Sequence, residues 1–116
     1  MSILVKQHSP YDLRLEKYKD VIKKLKTRLE GRVINAYIFG SLSTGKLHNE
    51  SDIDLILIKE TNTKFIQRTF EFEDLFDIYP DIDILVYTQD EFDKKIKEES
   101  DIGFWKSVKE QMIQII

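Results

Sequence analysis

Two short apolar runs, each opened by the same acidic triplet, constrain this chain more than anything else in it. Asp52-Ile53-Asp54 leads into Leu55-Ile56-Leu57-Ile58, and Asp81-Ile82-Asp83 leads into Ile84-Leu85-Val86-Tyr87. Runs of this length, rich in β-branched residues, read as buried strands. Side chains alternate faces along a strand, so Asp52 and Asp54 share one face with Ile56 and Ile58, while Ile53, Leu55 and Leu57 take the other. The run at residues 52–58 is therefore apolar on both sides beyond its acidic start and belongs in the centre of a sheet. Between the two runs, Thr61-Asn62-Thr63 resembles a helix cap, and Phe65, Ile66, Thr69, Phe70, Glu73 and Phe76 form a mostly apolar stripe ending near Pro80. A helix thus separates the strands, and residues 81–87 lie beside residues 52–58 where the crossover returns to the same sheet.

The remaining elements follow from periodicity. Over residues 11–30, Leu15, Tyr18, Val21, Ile22, Leu25 and Leu29 recur at helical spacing, and Gly31 supplies a stop. Residues 33–39 form a β-branched and aromatic strand ending on Gly40. Residues 41–49 read as a turn. Thr88 and Glu91 match a capping box for a helix to about residue 98. A last helix follows Asp101, with Phe104, Trp105, Val108, Met112, Ile113 and Ile116 on an apolar stripe that either completes the core or meets a partner. The expected fold is a small mixed α/β sheet flanked by helices, and the length of 116 residues fits one domain spanning 1–116.

Composition narrows the function classes. There is no cysteine, so disulfides and thiolate metal sites are excluded, and carboxylates are the plentiful ligands for a hard cation such as Mg²⁺ or Mn²⁺. The formal charge of −3 argues against general duplex binding. The charge is uneven: Lys17, Lys19, Lys23, Lys24, Lys26, Arg28 and Arg32 make the first third basic, and residues 71–93 are acidic. No apolar run spans a membrane and no signal sequence opens the chain, so the expected location is cytoplasmic.

Asp52 and Asp54 at strand spacing, joined by Asp83 from a neighbouring ladder, form a carboxylate cluster whose self-repulsion a divalent ion relieves. Asp81 shares a strand face with Asp83. Asp83 is the better third ligand, because it lies within the apolar run whereas Asp81 follows Pro80 and suits a turn. The alternative is that these aspartates merely end turns or stand on solvated edges, which fits poorly with strands apolar on both faces. Gly40-Ser41, following a strand, lets the backbone approach an anion and adds a hydroxyl. His8 and His48 are too far apart in sequence to pair around a metal, and Trp105 reads as a packing anchor.

Gly40-Ser41, ten residues, then Asp52-Ile53-Asp54 resembles the Gly-Ser-x10-Asp-x-Asp signature of the nucleotidyltransferase superfamily that includes DNA polymerase β. The short chain is similar to its minimal nucleotidyltransferase (MNT) domains. The resemblance implies a mixed sheet flanked by helices, two divalent metals (Mg²⁺ or Mn²⁺), and transfer of a nucleoside monophosphate from a nucleoside triphosphate, ATP in the first instance, to a hydroxyl. By that resemblance Gly40 and Ser41 hold the triphosphate tail, Asp52 and Asp54 bridge both metals, and Asp83 binds one metal and helps deprotonate the acceptor. Many minimal members carry Arg before the second glycine. Here Thr44 precedes Gly45, so that phosphate contact is either missing or supplied by Lys46. Minimal domains of this kind often act as antitoxins of HEPN-domain toxins, some by adenylylating a toxin tyrosine, which implies such a partner here. A small-molecule acceptor, as in aminoglycoside-modifying relatives, and a non-catalytic binding module that neutralises a partner are the competing readings.

Overall fold

The computed structural model describes residues 18–39 and 53–116. Helix α1 (Lys19–Leu29) turns Leu25 and Leu29 into the core. Asp20 in its first turn and Lys26 and Arg28 in its last complement the helix dipole. The helix stops where Glu30 becomes extended, and Gly31 follows at φ +79°, a left-handed conformation that costs glycine no Cβ clash. The part of the expected helix before residue 18 lies outside the described residues.

Strands β1 (Asn35–Phe39), β2 (Ile53–Ile58), β3 (Ile82–Tyr87) and β4 (Ile113–Gln114) form one sheet in the order β3-β2-β1-β4. β1 is antiparallel to both β2 and β4, and β2 is parallel to β3, so the sheet is mixed as expected. β2 is buried on both faces because it has a neighbour on each side and a layer above and below. On one face Ile53, Leu55 and Leu57 pack with Leu25 and Leu29 of α1 and with Phe72 and Leu75 of the crossover. On the other, Ile56 and Ile58 pack with Phe92 and Ile96 of α2 (Gln89–Glu99) and with Trp105 and Val108 of α3 (Gly103–Gln111). The expected capping box opens α2: the Thr88 hydroxyl accepts from the Glu91 N–H, and the Glu91 carboxylate accepts from the Thr88 N–H at 2.8 Å. Trp105 is buried, meeting Tyr87, Phe92 and Phe104 edge-on, as a packing anchor does.

Two expectations need correction. The crossover is a 3₁₀ segment (Phe65–Asp77) kinked at Phe72, and most of its expected apolar stripe faces out. Ile66 is 79% exposed and Phe70 65%, while Arg68, Phe72 and Leu75 turn inward. Charged anchors select the inward side. The buried Arg68 guanidinium donates to the carbonyls of Thr63 at 2.8 Å and Val86 at 3.1 Å, and forks onto the two oxygens of Glu91 at 2.5 and 3.1 Å. Arg32 forks onto Asp74 at 2.9 and 3.1 Å, and its guanidinium lies 4.9 Å from the centre of the Phe72 ring. Bidentate contacts of this kind fix direction as well as distance, and with about three residues per turn they leave Phe65, Ile66 and Phe70 outside.

The second correction concerns the C-terminus. The last helix ends at Gln111, and Met112 is extended (φ −66°, ψ 146°). Ile113 and Gln114 then pair with Ile38 and Tyr37, and the Ile115 N–H donates to the Ala36 carbonyl at 2.8 Å. The isoleucine spacing that mimics a helix stripe serves instead to cover the free edge of β1, where β-branched residues fit a pleated surface.

Hydrogen bonds from Arg32, and then from Arg28, hold the Asp74 carboxyl at about 2 against its ordinary 3.8, and Arg68 holds Glu91 at about 2 against 4.5. Both shifts are downward, so the stability they supply is complete above the ordinary values and is lost as the pH falls toward 2. Acid unfolding should therefore weaken the wild type progressively below about pH 4.5. Arg68→Met should cost about 1–3 kcal/mol in a urea melt at neutral pH and should flatten the acid dependence. A variant with unchanged midpoint and the same acid slope would rule out the clamp as a stabilising element.

Candidate active site

β2 and β3 run parallel with Asp54 directly opposite Asp83. Neighbouring strands lie about 4.8 Å apart, so these two carboxylates leave the same face of the sheet side by side. Asp54 is half-buried and Asp83 is exposed. On the other flank of β2, Phe39 is the register partner of Asp54. The outermost row of this face is therefore Asp83, Asp54, Phe39, and β1 ends on the last of these.

The rest of the face is apolar and covered. Ile56 and Ile58 follow Asp54 along β2, and Leu85 and Tyr87 follow Asp83, all within the core under α2 and α3. Tyr37 stacks on Phe92 with ring centres 5.4 Å apart. Burial pushes the Tyr37 and Tyr87 phenols above their usual value of 10, so both stay protonated near neutral pH. The carboxylates thus stand where an apolar face opens to solvent.

Of the two candidates for the third carboxylate, Asp83 is the one in register with Asp54. Asp81 precedes the strand, and its backbone carbonyl accepts from the Ile53 N–H at 2.9 Å, which ties the starts of β2 and β3 together. Gly40, Ser41, Thr44, Gly45, Lys46, Asp52 and both histidines lie outside the described residues. Among the described residues no set of three His, Cys, Asp or Glu side chains converges as a metal site. The Asp54–Asp83 pair nevertheless offers hard oxygen donors on one face, the chemistry that Mg²⁺ or Mn²⁺ requires. Phe104, which helical spacing places on a stripe that either completes the core or meets a partner, is 47% exposed and meets the Phe39 ring edge-on at 5.2 Å, a contact the sequence did not reveal.

Residues 16–80 match the family described as Polymerase beta, Nucleotidyltransferase. The chain belongs to this nucleotidyltransferase family. The matched stretch contains Gly40-Ser41 and Asp52-Ile53-Asp54 and stops before Asp83, which joins Asp54 through the sheet register. Two solved structures share the fold. A Sulfolobus solfataricus protein described as a nucleotidyltransferase is similar with a TM-score of 0.50 at 23% identity, over 70% of this chain and 73% of that one. A chain from a toxin–antitoxin crystallised with AMP-PNP is similar with a TM-score of 0.51 at 20% identity, over 84% of this chain and 72% of that one. No curated protein matches the chain. Among the described residues no helix is long and apolar enough to cross a membrane.

Like charges directly opposite on paired strands destabilise a sheet by roughly 0.2–1 kcal/mol. Asp83→Asn should therefore leave the protein as stable as the wild type, or raise its stability by up to about that amount, in chelator-treated low-salt buffer. The gain should shrink as salt is added. A clear loss of stability in the urea midpoint would mean that Asp83 serves the fold and does not face Asp54 as a like charge.

Proposed function

We propose that this protein transfers AMP from ATP to a hydroxyl, with Asp52, Asp54 and Asp83 as the carboxylates of the reaction. The observation that carries the reading is the register of Asp54 with Asp83 on one face, at the row where β1 ends and Gly40-Ser41 follows in sequence. Asp54, Asp83 and Asp52 would hold one or two divalent ions, Mg²⁺ or Mn²⁺, which neutralise charge on the phosphates and activate the attacking oxygen. The residues do the rest. Gly40, Ser41, Gly45 and Lys46 would grip the triphosphate tail through backbone N–H groups, a hydroxyl and an ammonium. Asp83, the exposed member of the pair, is open to the acceptor and takes the proton from its hydroxyl. The new bond joins that oxygen to the α-phosphorus, and pyrophosphate leaves with the electron pair of the bond that breaks.

The proposed acceptor is a tyrosine on a HEPN-domain toxin, which makes this chain the antitoxin of a pair acting in the cytoplasm. Support comes from the family and from a fold shared with a chain of a toxin–antitoxin crystallised with AMP-PNP.

The test is incubation with α-labelled ATP and Mg²⁺, with and without the protein encoded by the adjacent gene, followed by mass spectrometry of both chains. The expected result is a gain of AMP on a partner tyrosine, reduced at least about 10²-fold in Asp54→Asn while the two proteins still bind. Tight binding with no nucleotide transfer would favour a binding module, and transfer that persists in Asp54→Asn would remove the carboxylate site from the reaction.

A further inference from the structure

Seven large apolar side chains are exposed among the described residues, and Phe104 is the one whose ring meets the carboxylate row, through Phe39. We propose that the open side of the Phe104 ring is the surface on which the base of the nucleoside triphosphate stacks, an inference that rests on the nucleotidyl-transfer reading above. A nucleoside triphosphate has two chemically unlike ends. On that reading the carboxylates, through the divalent ions they would hold, and the Gly40-Ser41 pair serve the polyanionic tail, and nothing in them recognises a flat, weakly hydrated base. A base needs an apolar plane within reach of the phosphate site, already held in place so that little freedom is lost on binding.

Phe104 offers an apolar ring held in place and linked through Phe39 to the carboxylate row. Gly103 starts α3 at φ +69°, and Phe104 follows it in the first turn. Its ring is fixed by two edge-on contacts, with Phe39 at 5.2 Å and 80° and with the buried Trp105 at 5.4 Å and 90°. Edge-on packing is favoured by the ring quadrupoles, and Phe104 stays 47% exposed while held by both neighbours. Phe39 in turn is the register partner of Asp54, so ring and carboxylate are tied through one residue of β1. The other exposed aromatics among the described residues sit elsewhere: Phe65 leans on Tyr87 at the opposite end of β3, and Phe70 and Phe76 lie on the crossover.

Stacking reads a π-face that every base has, so Phe104 should strengthen purine nucleotides without choosing among them. The test is equilibrium binding of ATP, GTP and inorganic tripolyphosphate, each with Mg²⁺, to the full chain and to Phe104→Tyr, Phe104→Leu and Phe104→Ala. Circular dichroism checks folding, and Phe104→Leu keeps apolar bulk against Phe39 and Trp105 if the alanine variant unfolds. Expected is a loss of about tenfold for ATP and GTP alike in the leucine and alanine variants, binding within about twofold of wild type for tyrosine, and unchanged tripolyphosphate binding throughout. If ATP affinity is unchanged in the leucine and alanine variants while the wild type binds ATP, the stacking role is overturned and the carboxylate site stands. If tripolyphosphate binding falls together with ATP binding, Phe104 acts through packing and the inference is likewise overturned. A wild type that binds neither ligand overturns the reading of the site itself, and the inference with it.

Discussion

The parallel pairing of β2 with β3 sets Asp54 beside Asp83 and both core layers in place. Because side chains alternate along a strand, a slip of one residue would carry Asp83 to the opposite face from Asp54 and would drive it into the apolar layer beneath α1. The register is held from both sides. Ile53, Leu55 and Leu57 fit one core layer and Ile56 and Ile58 the other, so no shifted pairing buries the same residues. The crossover adds a polar lock, since Arg68 binds the Val86 carbonyl of β3 and the Glu91 carboxylate that caps α2. One arginine thus joins the connection, the strand it delivers and the helix that leaves it.

That arrangement divides the sheet face by chemistry. Towards Tyr87 and Ile58 it is apolar and roofed by α2 and α3, while at the start of β2 and β3 it carries adjacent carboxylates at partial exposure. Two like charges at this spacing oppose the pairing that holds them. A fold keeps such a pair where the surrounding burial over-determines the register, and the central position of β2 provides that burial. The aromatic contacts Phe39–Phe104 and Phe104–Trp105 then connect the carboxylate row to the helical roof.

Much of this was legible in the sequence because it rests on short-range patterns. Residues 52–58 read as a central strand from apolarity on both faces, and Thr88 and Glu91 read as a capping box; the structure shows strand 53–58 inside the sheet and the box in place. The misreadings arose where a distant partner decides the outcome. Periodicity placed Phe65, Ile66 and Phe70 inward, yet Arg68 and Asp74, pinned by Glu91 and Arg32, turn the segment the other way. Ile113 and Ile116 fit a helical stripe, yet the open edge of β1 recruits them as extended chain. The sequence offered the candidate site as a set of residue types. The contact of Phe104 with Phe39, the register partner of Asp54, was not legible, because it is made by β1 pairing with β2 and by α3 meeting Phe39.

If Asp54 and Asp83 act together on one divalent ion, a double-mutant cycle on Mn²⁺ binding reveals their coupling. Electron paramagnetic resonance of free Mn²⁺ gives the affinity of the wild type, Asp54→Asn, Asp83→Asn and the double variant. Shared coordination predicts that each single change weakens binding and that the double change costs clearly less than the sum of the two. Additive losses, or Mn²⁺ affinity that neither substitution alters, would contradict it.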